Sequence, residues 1–125
     1  MDQITKAASD FFSEGSYFVN PICNNNIAWS VPAKPVFFYP LWFAIIFLLA
    51  KLLLQTKDYW VKTALVFILS GAASNMIDRI SHGCVVDFID LRIWPVFNLA
   101  DIYITIGVTL LFINLIKNKR REATH

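Results

Sequence analysis

Apolar residues gather along this chain in three long blocks, 37–54, 60–77 and 97–116, with polar residues concentrated before and between them. Within a stretch such as 42–50 no polar position recurs every three or four residues, as a helix half-exposed to water requires. As an α-helix each block measures about 27–30 Å at about 1.5 Å per residue, close to the thickness of a bilayer's hydrocarbon core. The pattern therefore predicts three membrane-crossing helices rather than a soluble bundle. Residues 1–12 have no comparable run. They read either as an amphipathic helix at the interface or as the outer end of a helix whose inner half the sequence lacks. Residues 1–6 also lack the basic start, apolar stretch and cleavage site of a targeting signal. The segment 13–35, rich in Asn, Pro, Gly and Ser, predicts a loop with short strands at 17–19 and 27–31. The β-branched and aromatic residues of 85–90 predict another brief strand, whose alternation sends Asp87 and Asp90 to opposite faces.

Composition agrees with lipid as the solvent. The 125 residues are 57% hydrophobic, with a mean hydropathy of +0.54, more apolar surface than a soluble domain of this size can bury. Cations then orient the chain, because Lys and Arg near span ends are retained in the cytoplasm. Lys51, Lys57 and Lys62 flank the first connection and Lys117, Lys119, Arg120 and Arg121 fill the tail, whereas the opposite loops hold Lys34, Arg79 and Arg92. Residues 55–62 and 117–125 are thus expected in the cytoplasm, and 12–36 and 78–96 at the outer surface. This sorting accounts for the net charge of +2, and no nucleic-acid partner is implied. Cys23 and Cys84 match no zinc or redox spacing, and His82 and His125 are too few to complete a metal site. Both cysteines fall on the outer side, where a disulfide or two packed thiols are open alternatives, the thiols slightly preferred.

Candidate chemistry sits between Gly71 and Asp101. At about 100° per residue, Gly71, Asn75, Asp78 and Arg79 share a face at the end of the second block, where small neighbours permit close helix approach. Asp78 beside Arg79 suits a local charge couple, and an orienting role is the preferred reading of both. Asn98 reads as an N-cap and Asp101 as the acid three positions on, stabilising a helix start by roughly 1 kcal/mol. Capping does not explain why Asp101 stands at a membrane boundary followed by Ile102, Tyr103, Ile104, Thr105 and Ile106. Ionisable groups there are costly without a partner or a function. Paired carboxyls at a partly desolvated site share a proton, so that one serves as acid and the other as base, and such a pair can activate water against an amide. The partner of Asp101 is left open by the residues alone. A rival reading from another class is a non-enzymatic small transporter or proton-relay subunit using the same carboxylates.

At these positions the chain resembles the lipoprotein signal peptidases, or signal peptidase II, membrane aspartic proteases of bacteria. Gly71-x-x-x-Asn75-x-x-Asp78-Arg79, and Val85-Val86-Asp87-Phe88 followed by Phe97-Asn98-x-Ala100-Asp101, look like that family's two signature blocks in order and spacing. Asp2-Gln3-x-Thr5-Lys6 resembles the block in its first helix, and Asn24-x-x-x-Ala28-Trp29-Ser30 resembles its Asn-x-Gly-x-Ala-Phe segment, with Asn26 standing where the family has Gly. The resemblance spans nearly the whole chain.

It implies an all-α membrane protein, a single domain of three full spans plus a truncated first helix, with a short extracytoplasmic β cradle. The implied enzyme is an endopeptidase of the bacterial inner membrane that removes signal peptides from prolipoproteins, cutting before the diacylglyceryl-cysteine. By motif position Asp87 and Asp101 are the catalytic pair. Asn24, Asn75, Asp78, Arg79, Asn98, Asp2 and Lys6 bind or orient substrate. No metal or cofactor is implied. The expected partners are the lipidated precursor and membrane lipid, the expected state a monomer with a cytoplasmic C-terminus. Because a helix N-terminus favours negative charge, Asp101 is expected to be the base.

Overall fold

The computed structural model describes residues 3–5, 19–25 and 35–124. Three long helices dominate it: α1 at Pro35–Gln55, α2 at Tyr59–His82 and α3 at Leu99–Ala123. All three are long and apolar enough to cross a membrane. None of the spanning window of α1 is buried, and 33% of that of α2, so most apolar side chains face outward. Phe43, Phe47, Leu54, Phe112 and Leu115 are among them. A water-soluble protein could not sustain that exposure; lipid accommodates it.

The second span runs past residue 77 to His82, so Asp78 and Arg79 are helical rather than part of a loop. Gly83 then ends α2 in the left-handed conformation at φ 74°, donating its N–H to the Arg79 carbonyl at 3.0 Å. Two short strands, β1 at Val19–Asn24 and β2 at Val85–Ile89, pair antiparallel, with Ile22 opposite Asp87 and Asn24 opposite Val85. On its other side β2 is bridged by Phe97, whose N–H and carbonyl both bond Ile89. The described part of the outer loop forms a strand at Val19–Asn24, while 17–18 and 27–31 fall outside the described residues. Asn20-Pro21 reads locally as a strand breaker. In the sheet Pro21 occupies the irregular step between Val19 and Ile22, where the missing N–H removes no regular rung.

The preferred expectation of free thiols is overturned by this pairing. With Cys23 opposite Val86, the next residue out from Val85 is brought within reach, and Cys23 and Cys84 form a disulfide with Cα atoms 5.5 Å apart. Closing a segment of 61 residues, it contributes about 4 kcal/mol in the chain-entropy account.

Helices α2 and α3 pack closely and antiparallel because each presents glycine to the other's backbone. A Cβ on Gly71 would run into the Ala100 carbonyl oxygen and lie 2.8 Å from Ile104 Cγ1. One on Gly107 would lie 2.6 Å from the Ala64 carbonyl oxygen and 2.6 Å from Ile68 Cγ1. Ala64, Leu65 and Ala100 between them are wholly buried. At the far end Asp58 caps α2, accepting from the Trp60 and Val61 amides through Oδ1, while Oδ2 accepts from Asn114 of α3 at 3.2 Å. Lys117 lies 6.0 Å from the Trp60 ring at the same end.

Both the glycine contact and the Asp58 cap have measurable consequences. Gly→Ala in a helix ordinarily stabilises by about 0.5–1 kcal/mol, but at Gly71 the backbone collision reverses the sign, and Gly71→Ala is expected to cost about 1–3 kcal/mol. Thermal unfolding in detergent checks it, and an unchanged or raised Tm would refute the close contact. The Val61 N–H is the leading cause that holds the Asp58 carboxyl below its ordinary value of 3.8; Asn114 and the Trp60 N–H act the same way, against its desolvation. A lowered folded-state pKa gives stability that is complete above 3.8 and lost as pH falls through the lower value. Below that window wild-type Tm should drop more than that of Asp58→Asn, which keeps the capping oxygen and cannot titrate.

Candidate active site

Four elements bring their polar residues together at the end of the bundle opposite Asp58. Asp87 comes from β2, Asn98 and Asp101 from the start of α3, and Asn75 from the last turns of α2. Asn24 comes from the end of β1. The start of α3 is a reciprocal capping box: Asn98 Oδ1 accepts the Asp101 N–H at 3.0 Å, and Asp101 Oδ2 accepts the Asn98 N–H at 3.2 Å. That geometry fixes the direction of the Asn98 amide, since its oxygen meets a donor and its NH2 must therefore point toward acceptors. Asn98 Nδ2 donates to Asp87 Oδ1 at 2.8 Å and to Asn75 Oδ1 at 2.9 Å. Asn75 Nδ2 in turn donates to Asp101 Oδ1 at 3.0 Å. Asn24 Nδ2 completes the set, donating to Asp87 Oδ2 at 2.9 Å.

The result is one continuous network running Asn24, Asp87, Asn98, Asn75, Asp101. Each oxygen of both carboxyls accepts at least one hydrogen bond within it, and Asn98 uses both its amide hydrogens and its oxygen. Asn98 is fully buried and Asp87 only 4% exposed, whereas Asp101 is half-buried. Two carboxyls thus share an amide bridge but differ in access to solvent, the asymmetry that separates acid from base in paired-carboxyl chemistry. Asp90 takes no part in this network; its Oδ1 accepts the Arg92 N–H at 2.7 Å, closing the turn after β2. The residues alone left the partner of Asp101 open; the hydrogen-bond network links it to Asp87, while Asp90 bonds the Arg92 N–H instead.

Asp78 is buried one helical turn beyond Asn75 and accepts the Val86 N–H at 3.0 Å, anchoring β2 to α2. Arg79 sits on the flank toward α1, its guanidinium 4.9 Å from the centre of the Phe38 ring. Sequence reasoning missed Phe38 in this role, as well as Gln3 and Ser74: Gln3 Nε2 donates to the Ser74 carbonyl and hydroxyl and to Asp78 Oδ1. The block around Asp2 and Lys6 flagged that segment but pointed to its charged members, which lie outside the described residues. Among the described residues no group of three or more His, Cys, Asp or Glu side chains could hold a metal ion.

The Signal peptidase (SPase) II family model matches residues 1–117. The chain belongs to the signal peptidase II family. A lipoprotein signal peptidase of Caldicellulosiruptor bescii is 36% identical over 131 aligned positions, covering 98% of this chain and 87% of the relative. One of Staphylococcus aureus is 35% identical over 133 positions, covering 94% and 82%. Two solved structures described as bacterial membrane enzymes superpose with TM-scores of 0.81 and 0.77 at 31% and 30% identity. They cover 94% and 93% of this chain and 82% and 85% of their own. Signal peptidase II family members are proteases, so the chain is an enzyme and a multi-pass bacterial membrane protein. The non-enzymatic transporter or proton-relay alternative finds no support here.

The bridge between the carboxyls has a thermodynamic signature. Asn98→Ala removes the helix cap and leaves buried acceptors short of a donor, an expected loss of about 2–4 kcal/mol. Asn98→Ser keeps a capping oxygen and should recover about 1 kcal/mol of it. Chemical or thermal unfolding of the two variants side by side checks the order, and an Asn98→Ala protein as stable as wild type would mean that the bridge contributes nothing.

Proposed function

We propose that this protein removes the signal peptide of bacterial prolipoproteins by water-mediated cleavage between Asp87 and Asp101, immediately before the diacylglyceryl-cysteine. The observation that carries the proposal is the Asn98 amide bridge, which joins a buried and a half-exposed carboxyl from two different elements. The proposed reaction needs one member of the pair protonated and the other ionised. The ionised member takes a proton from water as it attacks the scissile carbonyl, while the protonated member donates its proton to the carbonyl oxygen; as the C–N bond breaks, the first member passes the proton it gained to the departing amine and the second recovers its own from the diol oxygen. The half-exposed position of Asp101, at the positive end of α3, favours it as the base. Asn24 and Asn75 hold the carboxyl planes, Asp78 and Arg79 brace the wall of the site, and Asp2 and Lys6 act on substrate from the first segment.

Two independent features support an outward-facing site with a cytoplasmic C-terminus. The lysine-rich connection and the tail share one end of the bundle, tied by Asn114 to Asp58 and Lys117 to Trp60. The Cys23–Cys84 disulfide stands at the other end, beside Asn24, and disulfides persist in oxidising compartments. A precursor anchored by its acyl chains in the outer leaflet would present its scissile bond at the depth of the α3 N-terminus. The chain acts as a monomer in this reading, since one copy supplies every member of the network.

Purified protein incubated with a diacylglyceryl-modified precursor is expected to release the signal peptide, and Asp87→Asn or Asp101→Asn to slow release roughly 10²–10⁴-fold. Asp90→Asn should retain activity. Cleavage that survives both substitutions, or that is lost with Asp90→Asn alone, would defeat the assignment.

A further inference from the structure

We infer that Gln3 is a positioning residue for the Asp87 carboxyl, acting through Asp78; the inference rests on the peptidase reading above. Asp78 is 1% exposed, and its two oxygens point to different elements. Oδ2 accepts the Val86 N–H at 3.0 Å, one residue before Asp87 on β2. Oδ1 accepts from Gln3 Nε2 at 2.9 Å. The same nitrogen reaches Ser74 Oγ at 2.8 Å and the Ser74 carbonyl oxygen at 3.0 Å, so the amide is held on α2 one turn before Asp78.

The terminal torsion of a carboxylate is broad and shallow, so a donor on one oxygen leaves the group free to swing. A donor on the second oxygen fixes the carboxyl plane, and with it the height at which Val86, and therefore Asp87, stands over α2. The Gln3 side chain supplies such a donor from a segment 75 positions away in sequence. A neutral amide suits the task. It gives the buried carboxyl a donor without adding a charge beside the Asp87–Asp101 pair. The residue touches neither of those carboxyls in the geometry described. Its effect on the reaction is therefore one of placement, and catalysis is sensitive to placement at the scale of about 1 Å.

The test compares two substitutions of nearly the same shape in the full chain. Gln3→Met keeps the length and helix propensity but offers no donor. Gln3→Glu keeps the outline and sets a carboxyl against Asp78. Kinetics on the diacylglyceryl-modified precursor should show kcat reduced about tenfold in Gln3→Met and about a hundredfold in Gln3→Glu, with KM within about twofold of wild type in both. Hydrogen exchange in detergent should show the Val86 and Asp87 amides exchanging faster in Gln3→Met, while amides in the middle of α3 keep their wild-type protection. Wild-type kcat in both variants, a loss confined to KM, or unchanged exchange at Val86 would overturn the inference. Protection lost throughout α3 would overturn it too, by showing a general packing role. If the wild-type protein itself leaves the lipidated precursor intact, the peptidase reading falls first, a result separate from any difference between the variants.

Discussion

Burying two carboxyls where a helix enters lipid is the constraint around which this molecule is organised. Asp87 is almost wholly enclosed and Asp101 half so, and at that depth an anion without donors would be strongly disfavoured. The donors placed directly on their oxygens include three asparagine amides, from Asn24, Asn75 and Asn98, and one backbone N–H. Amides suit the proton exchange that the proposed mechanism asks of this pair. A bidentate guanidinium would hold both carboxyls ionised, whereas an amide supports the anion by a smaller amount and leaves protonation of one member accessible. Asn98 matters most because it touches both carboxyls at once, by its side chain and by its backbone.

The rest of the fold can be traced to keeping that bridge in place. Asn75 reaches Asn98 and Asp101 only because α2 and α3 approach closely, which Gly71 against Ala100 and Gly107 against Ala64 allow. Asn24 reaches Asp87 only because β1 pairs with β2 in one register, which the Cys23–Cys84 bond pins beside it. Phe97 closes the other side of β2 and leads directly into Asn98, so strand and helix start are one covalent unit of fixed geometry. The two-stranded sheet is too small to be stable alone. Its stability comes from these attachments.

What was legible in the sequence divides along the range of the interactions. The three spans could be read because lipid selects for uninterrupted apolar runs, a local property. The capping box of Asn98 and Asp101 is likewise a pattern confined to one helical turn. Gly71 announced a close helix contact by its size alone. The strand β1 was obscured by Pro21, which looks like a breaker until an irregular step in the ladder accommodates it. The disulfide depends on a register that joins residues 61 apart, and the Asn24–Asp87 bond on one that joins residues 63 apart. No local pattern encodes either. Gln3 escaped for the same reason: between Asp2 and Lys6 it is the least conspicuous side chain, and its contact lies 75 positions downstream. The apolar run stops at 77, whereas the contacts of Asp78 to β2 and of Arg79 to α1 accompany a helix that continues to His82.

The two ends of the α2–α3 pair repeat one device with different consequences. At one end the N-cap of α2, Asp58, is bonded by Asn114 of α3; at the other the N-cap of α3, Asn98, is bonded by Asn75 of α2. The spacing matches: Asp58 to Asn75 spans about 25 Å of α2, and Asn98 to Asn114 about 24 Å of α3, at about 1.5 Å per residue. Sliding either helix by one turn, about 5.4 Å, would break both bonds together, so the pair has one axial register that satisfies its caps. Rigid register is what the network at Asn98 requires, because the Asp101 carboxyl is carried on one helix and its Asn75 donor on the other. The cap at the lysine-rich end thus contributes to the geometry of a site at the far side of the membrane, by fixing how far along α3 the Asn75 amide reaches.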